Sequence, residues 1–178
     1  LVEIGGEKDT SRFAATIEEA LCAGDSVGGV VECRIDGMPA GVGEPFFDSV
    51  ESVMSHLLFS IPAVKGVEFG AGFASARLRG SENNDPIVDA EGHTSTNHDG
   101  GINGGITNGN EIVVRVAIKP TPSISRPQQT YDFAAGRVEE LTIHGRHDAC
   151  IALRAVVVVE AVAAIALADL SLTARGRA

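Results

Sequence analysis

The chain has no tryptophan and a single tyrosine, and aromatic residues make up only 4% of its 178 residues. Aliphatic side chains must therefore fill the core, and hydrophobic residues, at 44%, are numerous enough for one folded domain. Basic residues are also scarce: 14 Lys and Arg stand against 24 Asp and Glu, without any basic run. A chain with a net charge of −10 repels a polyanion, so no nucleic-acid partner is predicted.

Cysteine is scarce as well. The three cysteines, Cys22, Cys33 and Cys150, form no CxxC pair and no metal-ligand spacing, so no metal site is predicted. An odd number of cysteines fits a reducing compartment, and we expect a cytoplasmic protein. The longest apolar stretch, residues 155–170, contains two carboxylates and is short for a membrane span. We interpret it as part of a buried helix and predict no membrane partner.

Glycine, by contrast, is abundant. The chain has 21 glycines, well above the usual level of about 7% of residues, and five of them fall within residues 99–109. They belong to a longer segment, residues 79–110, that is rich in Asn, Asp, Gly, Ser and Thr and shows almost no hydrophobic periodicity. Loops of this length inside a compact domain are usually functional or mobile. We predict a long, mobile, Gly/Asn-rich loop over 79–110.

Hydrophobic periodicity predicts an α/β mixture that forms one domain over residues 1–178. Asp48 and Glu51 have the spacing of a capping box, which predicts a helix that closes at Pro62. In Ile112–Ile118 the alternation predicts four aliphatic side chains on one face and Arg115 on the other. The other predicted elements are a helix over 11–23, strands over Val27–Ile35, Val64–Phe69 and near Val138–Ile143, and a helix over Ile151–Leu170 that is covered on every side.

Three stretches, in order, carry a resemblance to a known family. The first is Gly-Val-Gly-Glu-Pro-Phe-Phe-Asp-Ser-Val over residues 41–50, followed by Ser-Ile-Pro-Ala-Val-Lys-Gly-Val-Glu-Phe-Gly over 60–70. The second is Thr-Asn-His-Asp-Gly-Gly-Ile-Asn-Gly-Gly-Ile-Thr-Asn-Gly over 96–109, followed by Lys-Pro-Thr-Pro-Ser over 119–123. The third is Gly-Arg-His-Asp-Ala-Cys over 145–150. Together they resemble the chorismate synthase family from about residue 25 to about residue 168.

The resemblance implies an α+β fold in which β-sheets enclose a layer of helices. This chain would be a fragment of that larger β-α-α-β sandwich, its C-terminal half. The family's Gly-Glu-Ser-His-Gly signature, its second catalytic histidine and several substrate-binding arginines belong to the other half, and the chain lacks those motifs. It also begins at Leu1, without methionine. We therefore expect an incomplete enzyme that is inactive by itself.

The activity that the resemblance implies is a 1,4-elimination of phosphate from 5-enolpyruvylshikimate 3-phosphate, which gives chorismate in the shikimate pathway. The family requires reduced FMN, although the reaction has no net redox change. The parent would be a cytoplasmic homotetramer, and whether it reduces its own flavin with NADPH is left open. The alternative hypothesis is a non-catalytic flavin- or phosphate-binding fragment, or a structural one.

Two segments are candidates for cofactor binding. Glycines over 101–109 allow close backbone approach to a flavin or phosphate, and Gly104 matches a family flavin contact. The alternative is a tight-turn surface loop. The second segment is Lys119, Pro120, Thr121, Pro122 and Ser123, in which a lysine and two hydroxyls suit a phosphate. In the family this segment lies on FMN, and the alternative is an ordinary loop after a strand.

Arg146 and Asp148 form the third candidate. Arginine offers a planar fork of donors for phosphate or carboxylate, and Asp148 could accept a proton or cap the following helix. The resemblance assigns Arg146 to the flavin–substrate site and Asp148 to proton handling at the flavin, as the catalytic residue. It also assigns Pro62 and Ala63 to a flavin contact, although the end of a helix explains Pro62 equally.

The candidates are expected to share one ligand. We predict that Gly104, Lys119 and Asp148 converge on the same flavin. Two histidines are not assigned to proton transfer: His98, because adjacent residues in an extended segment point apart, which separates it from Asp99, and His147, because the family's catalytic histidines lie in the other half.

Overall fold

The computed structural model describes residues 10–176. Its elements alternate helices with short strands, in agreement with the predicted α+β class. The helices are α1 (Ser11–Cys22), α2 (Val50–Leu58), α3 (Gly80–Asn83) and α4 (Ala152–Gly176), with 3₁₀ turns at Phe46–Asp48 and Gly72–Arg77. The strands are β1 (Gly29–Ile35), β2 (Val64–Phe69), β3 (Ile102–Asn103), β4 (Ile106–Thr107), β5 (Ile112–Ile118), β6 (Gln128–Asp132) and β7 (Arg137–Leu141).

An antiparallel sheet of order β1-β5-β2 forms the centre of the fold. The register pairs Ile118 with both Gly29 and Val64, and Ile112 with Ile35. The predicted alternation of β5 is confirmed. Arg115 points to the face opposite the four buried aliphatic residues, which are Ile112, Val114, Val116 and Ile118. On that opposite face, Arg115 Nε donates to Glu68 Oε1 at 3.0 Å. The sheet therefore has one apolar face and one charged face.

The apolar face packs against α2 and α4. Val50, Met54 and Leu58 recur at helical spacing along α2 and are fully buried, as is Val159 of α4. Each such side chain contributes roughly 1.5–3 kcal/mol by leaving water. This single cluster joins both helices to the sheet, so the core lies between them.

The start of α2 differs by one residue from the prediction. The capping side chain is Ser49, whose Oγ accepts from the N–H of Ser52 at 3.0 Å, and not Asp48. Ser49 fits because its hydroxyl has the reach for the third helical N–H from an extended backbone. The helix also ends at Leu58, before Pro62, so proline follows the helix without terminating it directly.

The expectation that the last helix is covered on every side is wrong for this chain. Small and aliphatic residues of α4, including Ala163 and Leu167, are buried, but Val157 is 65% exposed and Ile165 is 60% exposed. The reason is that the described chain supplies one sheet and one neighbouring helix, which can cover only one side. By length and composition α4 could also cross a membrane, a test that core helices of soluble proteins pass as well.

The segment 79–110 contains more structure than its composition suggests. It includes α3, the β3–β4 hairpin and a bridge between Ile87 and Thr94. Asp85 is its centre, with a side chain only 5% exposed. Its carboxylate accepts from the backbone N–H groups of His98 and Asp99 at 2.8 and 2.9 Å. Side-chain hydrogen bonds therefore replace the hydrophobic contacts that this segment lacks, while its mobility stays a prediction.

Asp85 also has a shifted pKa. Burial of the carboxyl opposes its ionisation, but the hydrogen bonds from Asp99, His98 and the Thr96 hydroxyl outweigh burial and lower the pKa. The folded loop thus favours the ionised form.

A second hairpin follows β5. The sequence predicted one strand near Val138–Ile143, whereas β6 and β7 pair from Gln128 with Leu141 to Asp132 with Arg137. We missed β6 because its sequence, Gln-Gln-Thr-Tyr-Asp, has no apolar alternation. The hairpin contributes no residue to the core, and its strands are exposed on nearly every position.

Candidate functional site

Strand β5 has two ends with different surroundings. We call the end at Ile112 the entry end, where the glycine-rich residues 100–105 and Gly70 lie. We call the end at Ile118 the exit end, where residues 119–123 leave the sheet. Most of the predicted site residues lie at the exit end.

The exit end brings Pro62 and Ala63 beside the predicted Lys119 segment. The N–H of Lys119 donates to the carbonyl of Ala63 at 2.9 Å. Ala63 has a φ of 73°, a conformation that non-glycine residues rarely adopt. Such backbone strain persists only where surrounding structure fixes it, and it is often found at functional sites. The loop after α2 is therefore locked against the end of β5.

Residues 26–28, just before β1, contact both the segment after β5 and the segment before α4. Ser26 Oγ donates to the carbonyl of Thr121 at 2.7 Å, and the N–H of Val27 donates to the carbonyl of Ala149 at 2.8 Å. Gly28 permits this approach, since a Cβ there would lie 2.5 Å from the carbonyl oxygen of Ile118. The structure thus ties Thr121 and Ala149, the residue after Asp148, to the same short segment.

The side chains at the exit end suit an anionic ligand. Lys119 is exposed and makes no ion pair within the described chain. Pro120 and Pro122 are exposed as well. Thr121 Oγ1 is buried without a hydrogen-bond partner among the described residues. A buried hydroxyl beside a free ammonium group can donate to the oxygens of a phosphate. These residues therefore fit the phosphate-bearing cofactor that the sequence predicts.

Asp148 and Arg146 differ in their surroundings. Asp148 Oδ1 accepts from Arg154 Nη2 at 3.1 Å, and the aspartate side chain is 41% exposed. It lies four residues before α4 begins at Ala152, so the alternative role as a helix cap is wrong. Arg146 is exposed and forms no ion pair within residues 10–176. Its guanidinium is thus available to a ligand, whereas the carboxylate of Asp148 already has a cationic partner.

Gly104 lies at the entry end. It forms the turn of the β3–β4 hairpin with Gly105, and both have positive φ, of 59° and 89°, as a type I′ turn requires. Gly105 accepts from the N–H of Val50 at 2.9 Å, which fixes the hairpin at the start of α2. A seven-residue strand such as β5 spans roughly 20 Å. Gly104 thus lies about the length of β5 from Lys119, and its convergence with Lys119 and Asp148 on one flavin stays a prediction.

His98 and His147 have different surroundings. His98 Nδ1 lies 3.1 Å from the carbonyl oxygen of Asn83 and 3.2 Å from Asp85 Oδ1, so it does not pair with Asp99. His147 Nε2 is buried without a partner in the described chain. Sequence reasoning set His147 aside because the family's catalytic histidines lie in the other half, and no pattern in a sequence reveals whether a side chain is paired. Among the described residues no cluster of three His, Cys, Asp or Glu side chains could hold a metal ion.

The fold and the exit end define an α+β protein with a candidate site for an anionic, phosphate-bearing ligand. Comparison with known proteins makes the assignment specific. The chain belongs to the chorismate synthase family, whose profile, described as chorismate synthase, matches residues 2–172.

Curated relatives and a solved structure support the assignment. Chorismate synthase of Chitinophaga pinensis is 58% identical over 172 residues, which cover 97% of this chain and 51% of the relative. That of Archaeoglobus fulgidus is 57% identical over 148 residues, covering 82% and 41%. A crystal structure of a chorismate synthase matches with a TM-score of 0.72 and 35% identity over 91% of this chain and 42% of the other. The predicted fold is confirmed, and the chain spans about half the length of these relatives.

Proposed function

We propose that this chain is the C-terminal half of a chorismate synthase, a carbon–oxygen lyase of the shikimate pathway. The assembled protein would eliminate phosphate from 5-enolpyruvylshikimate 3-phosphate to give chorismate. The observation that carries this proposal is the exit end of β5. There a family motif, an exposed lysine and a buried unpaired hydroxyl at Thr121 occupy one place. The chain spans about half of its relatives, so we assign the activity to the assembled protein.

The residues of the exit end would bind and orient the reactants. Lys119 supplies a point charge for a phosphate, and the hydroxyls of Thr121 and Ser123 supply hydrogen bonds. Arg146 offers its unpaired planar fork to phosphate or carboxylate. Pro62 and Ala63 form the neighbouring wall through the hydrogen bond between Ala63 and Lys119. When bound, reduced FMN would supply electron density to an elimination that has no net oxidation.

Asp148 would handle the proton at the bound flavin. Its carboxylate is half-exposed at the same end of the sheet and is oriented by the guanidinium of Arg154. In this orientation the ionised carboxylate would accept a proton beside a bound flavin. We assign this role to Asp148 and a positioning role to Arg154.

The remaining family features are proposals as well. We propose a cytoplasmic homotetramer that uses reduced FMN, with NADPH as reductant where the protein reduces its own flavin. Gly104 stays a proposed flavin contact at the entry end, where a side chain would meet no atom within 4 Å. Another subunit or the other half of the enzyme would complete the surface around it.

The second candidate function is a binding or structural fragment without turnover. The apolar side of α4, with Val157 and Ile165 largely exposed, favours it for the chain by itself. An uncovered apolar surface of this kind promotes association. We expect the chain alone to aggregate, and a monodisperse monomer that melts cooperatively would contradict this expectation.

A fusion separates the two candidates. The chain is joined to the residues of Chitinophaga pinensis chorismate synthase that precede the aligned region. This fusion and the chain alone are supplied with 5-enolpyruvylshikimate 3-phosphate and reduced FMN. We expect chorismate from the fusion only. In the fusion, Lys119→Gln should weaken FMN binding at least about tenfold, because it removes a charge-assisted contact.

The control is Lys65→Gln, since Lys65 is an exposed lysine on β2. It should leave FMN affinity unchanged, measured by flavin fluorescence. A folded fusion that forms no chorismate would refute the lyase assignment. Equal FMN affinities for the two lysine variants would refute the site.

A further inference from the structure

Two polar atoms at the exit end have no partner within residues 10–176: Thr121 Oγ1 and His147 Nε2. Both are shielded from solvent in the described chain, and the other atom of this kind, Asn83 Oδ1, lies at the end of α3. A polar atom that has lost water without gaining a hydrogen bond destabilises the folded state. An explanation is therefore needed for one such atom just after β5 and another in the segment before α4.

The two atoms belong to segments that the same residues hold in place. Ser26 binds the backbone of Thr121, and the next residue, Val27, binds the backbone of Ala149, two positions after His147. Arg146, next to the histidine, is exposed and unpaired within the described residues. The free cations and the unpaired buried atoms thus occur on the same two segments.

Both unpaired atoms can donate a hydrogen bond. A threonine O–H and an imidazole Nε2–H both ordinarily donate to an oxygen acceptor. We propose that His147 Nε2 and Thr121 Oγ1 each donate to an oxygen of a bound ligand, in a phosphate, carboxylate or carbonyl group. His147 would then be a ligand-binding residue beside Arg146. This inference rests on the proposed function, whose two ligands, FMN and 5-enolpyruvylshikimate 3-phosphate, both carry such groups.

Variants at His147 separate the roles of its ring nitrogens. His147→Asn loses a polar atom at the Nε2 position, whereas His147→Gln places an amide nitrogen near it. Thr121→Val removes the hydroxyl with little change of shape. The control is His144→Gln, at an exposed histidine in the same segment between β7 and α4. Each variant of the fusion is titrated calorimetrically with FMN in one series and with 5-enolpyruvylshikimate 3-phosphate in the other.

We expect His147→Asn and Thr121→Val to weaken one of the two ligands about tenfold, as the loss of a buried hydrogen bond does. His147→Gln should bind within about threefold of the unaltered protein. Melting temperatures should not fall, because neither atom has a protein partner to lose. A loss in the FMN series assigns the acceptor to the flavin, and a loss in the other series assigns it to the substrate.

Unchanged affinities for both ligands, with or without a lower melting temperature, would overturn the assignment and leave the two atoms a structural role. Absence of FMN binding by the unaltered fusion is a separate result. It would contradict the proposed function itself, and the assignment with it, before any variant is compared.

Discussion

At the entry end of β5, a side chain on most of the glycines would overlap neighbouring backbone atoms. The exit end has one glycine that is equally enclosed, Gly28, but it differs in that polar side chains there have no partner among the described residues. A Cβ on Gly70 would lie 2.0 Å from the carbonyl oxygen of His98, and one on Gly101 would lie 2.5 Å from that of Glu111. Thr121 Oγ1 and His147 Nε2, by contrast, are buried without a hydrogen-bond partner among the described residues. Dense glycine at the entry end accompanies close backbone packing, and the unpaired hydroxyl and imidazole groups support the ligand site that we propose.

The largest effect is expected where the entry end is tightest. Gly70 combines a φ of 55° with contact to the backbone of His98 and Gly100, so Gly70→Ala requires main-chain movement. We expect the free energy of unfolding to fall by at least about 3 kcal/mol, measured by urea denaturation of the fusion. A loss below about 1 kcal/mol would show that the entry end is looser than the structure indicates.

The next effect tests whether hydrogen bonds hold the segment 79–110. Asp85→Asn places an amide NH₂ opposite the N–H donors of His98 and Asp99, and we expect a loss of about 2 kcal/mol at pH 7. Because the folded pKa of Asp85 lies below its ordinary value of 3.8, the carboxylate stabilises the fold above that pH. Its contribution is lost as the pH falls through the folded pKa.

The difference in stability between the unaltered protein and Asp85→Asn should therefore narrow below about pH 4, a shift that follows from the lowered pKa. Denaturation at pH 7, 5 and 3.5 measures it, and limited proteolysis within 79–110 should be faster in the variant. Asp36→Asn, at an exposed carboxylate outside this segment, is the control. A gap that stays constant over this pH range would exclude the role given to Asp85.

The smallest effect is expected at Gly104, where a side chain meets no atom within 4 Å. Gly104→Ala should lower the free energy of unfolding by only about 1 kcal/mol, because the strain of a positive φ is its single cause. FMN affinity of the fusion is measured on the same sample. An undiminished affinity would show that the hairpin turn alone explains this glycine, and would sharpen the contrast with the exit end.

Much of the fold could be predicted because periodicity reports it directly. The alternation in β5, the apolar spacing in α2 and the family motifs all gave elements that the structure and the comparisons confirm. The hairpin strand β6 could not be predicted, since it contributes no residue to the hydrophobic core of the described chain and so carries no apolar pattern. The elements within residues 79–110 were not predicted for a related reason: hydrogen bonds donated to Asp85 leave no periodic trace in a sequence.

The candidate site divides in the same way. Sequence alone determined which residue types could meet a phosphate, namely Lys119, the hydroxyls that follow it, and Arg146. Only the tertiary structure decided that Gly104 lies at the other end of β5 and that His147 lacks a partner. The physical reason is that charge and backbone freedom belong to a residue by its type. Proximity and unsatisfied hydrogen bonds arise only when distant segments of the chain pack against each other.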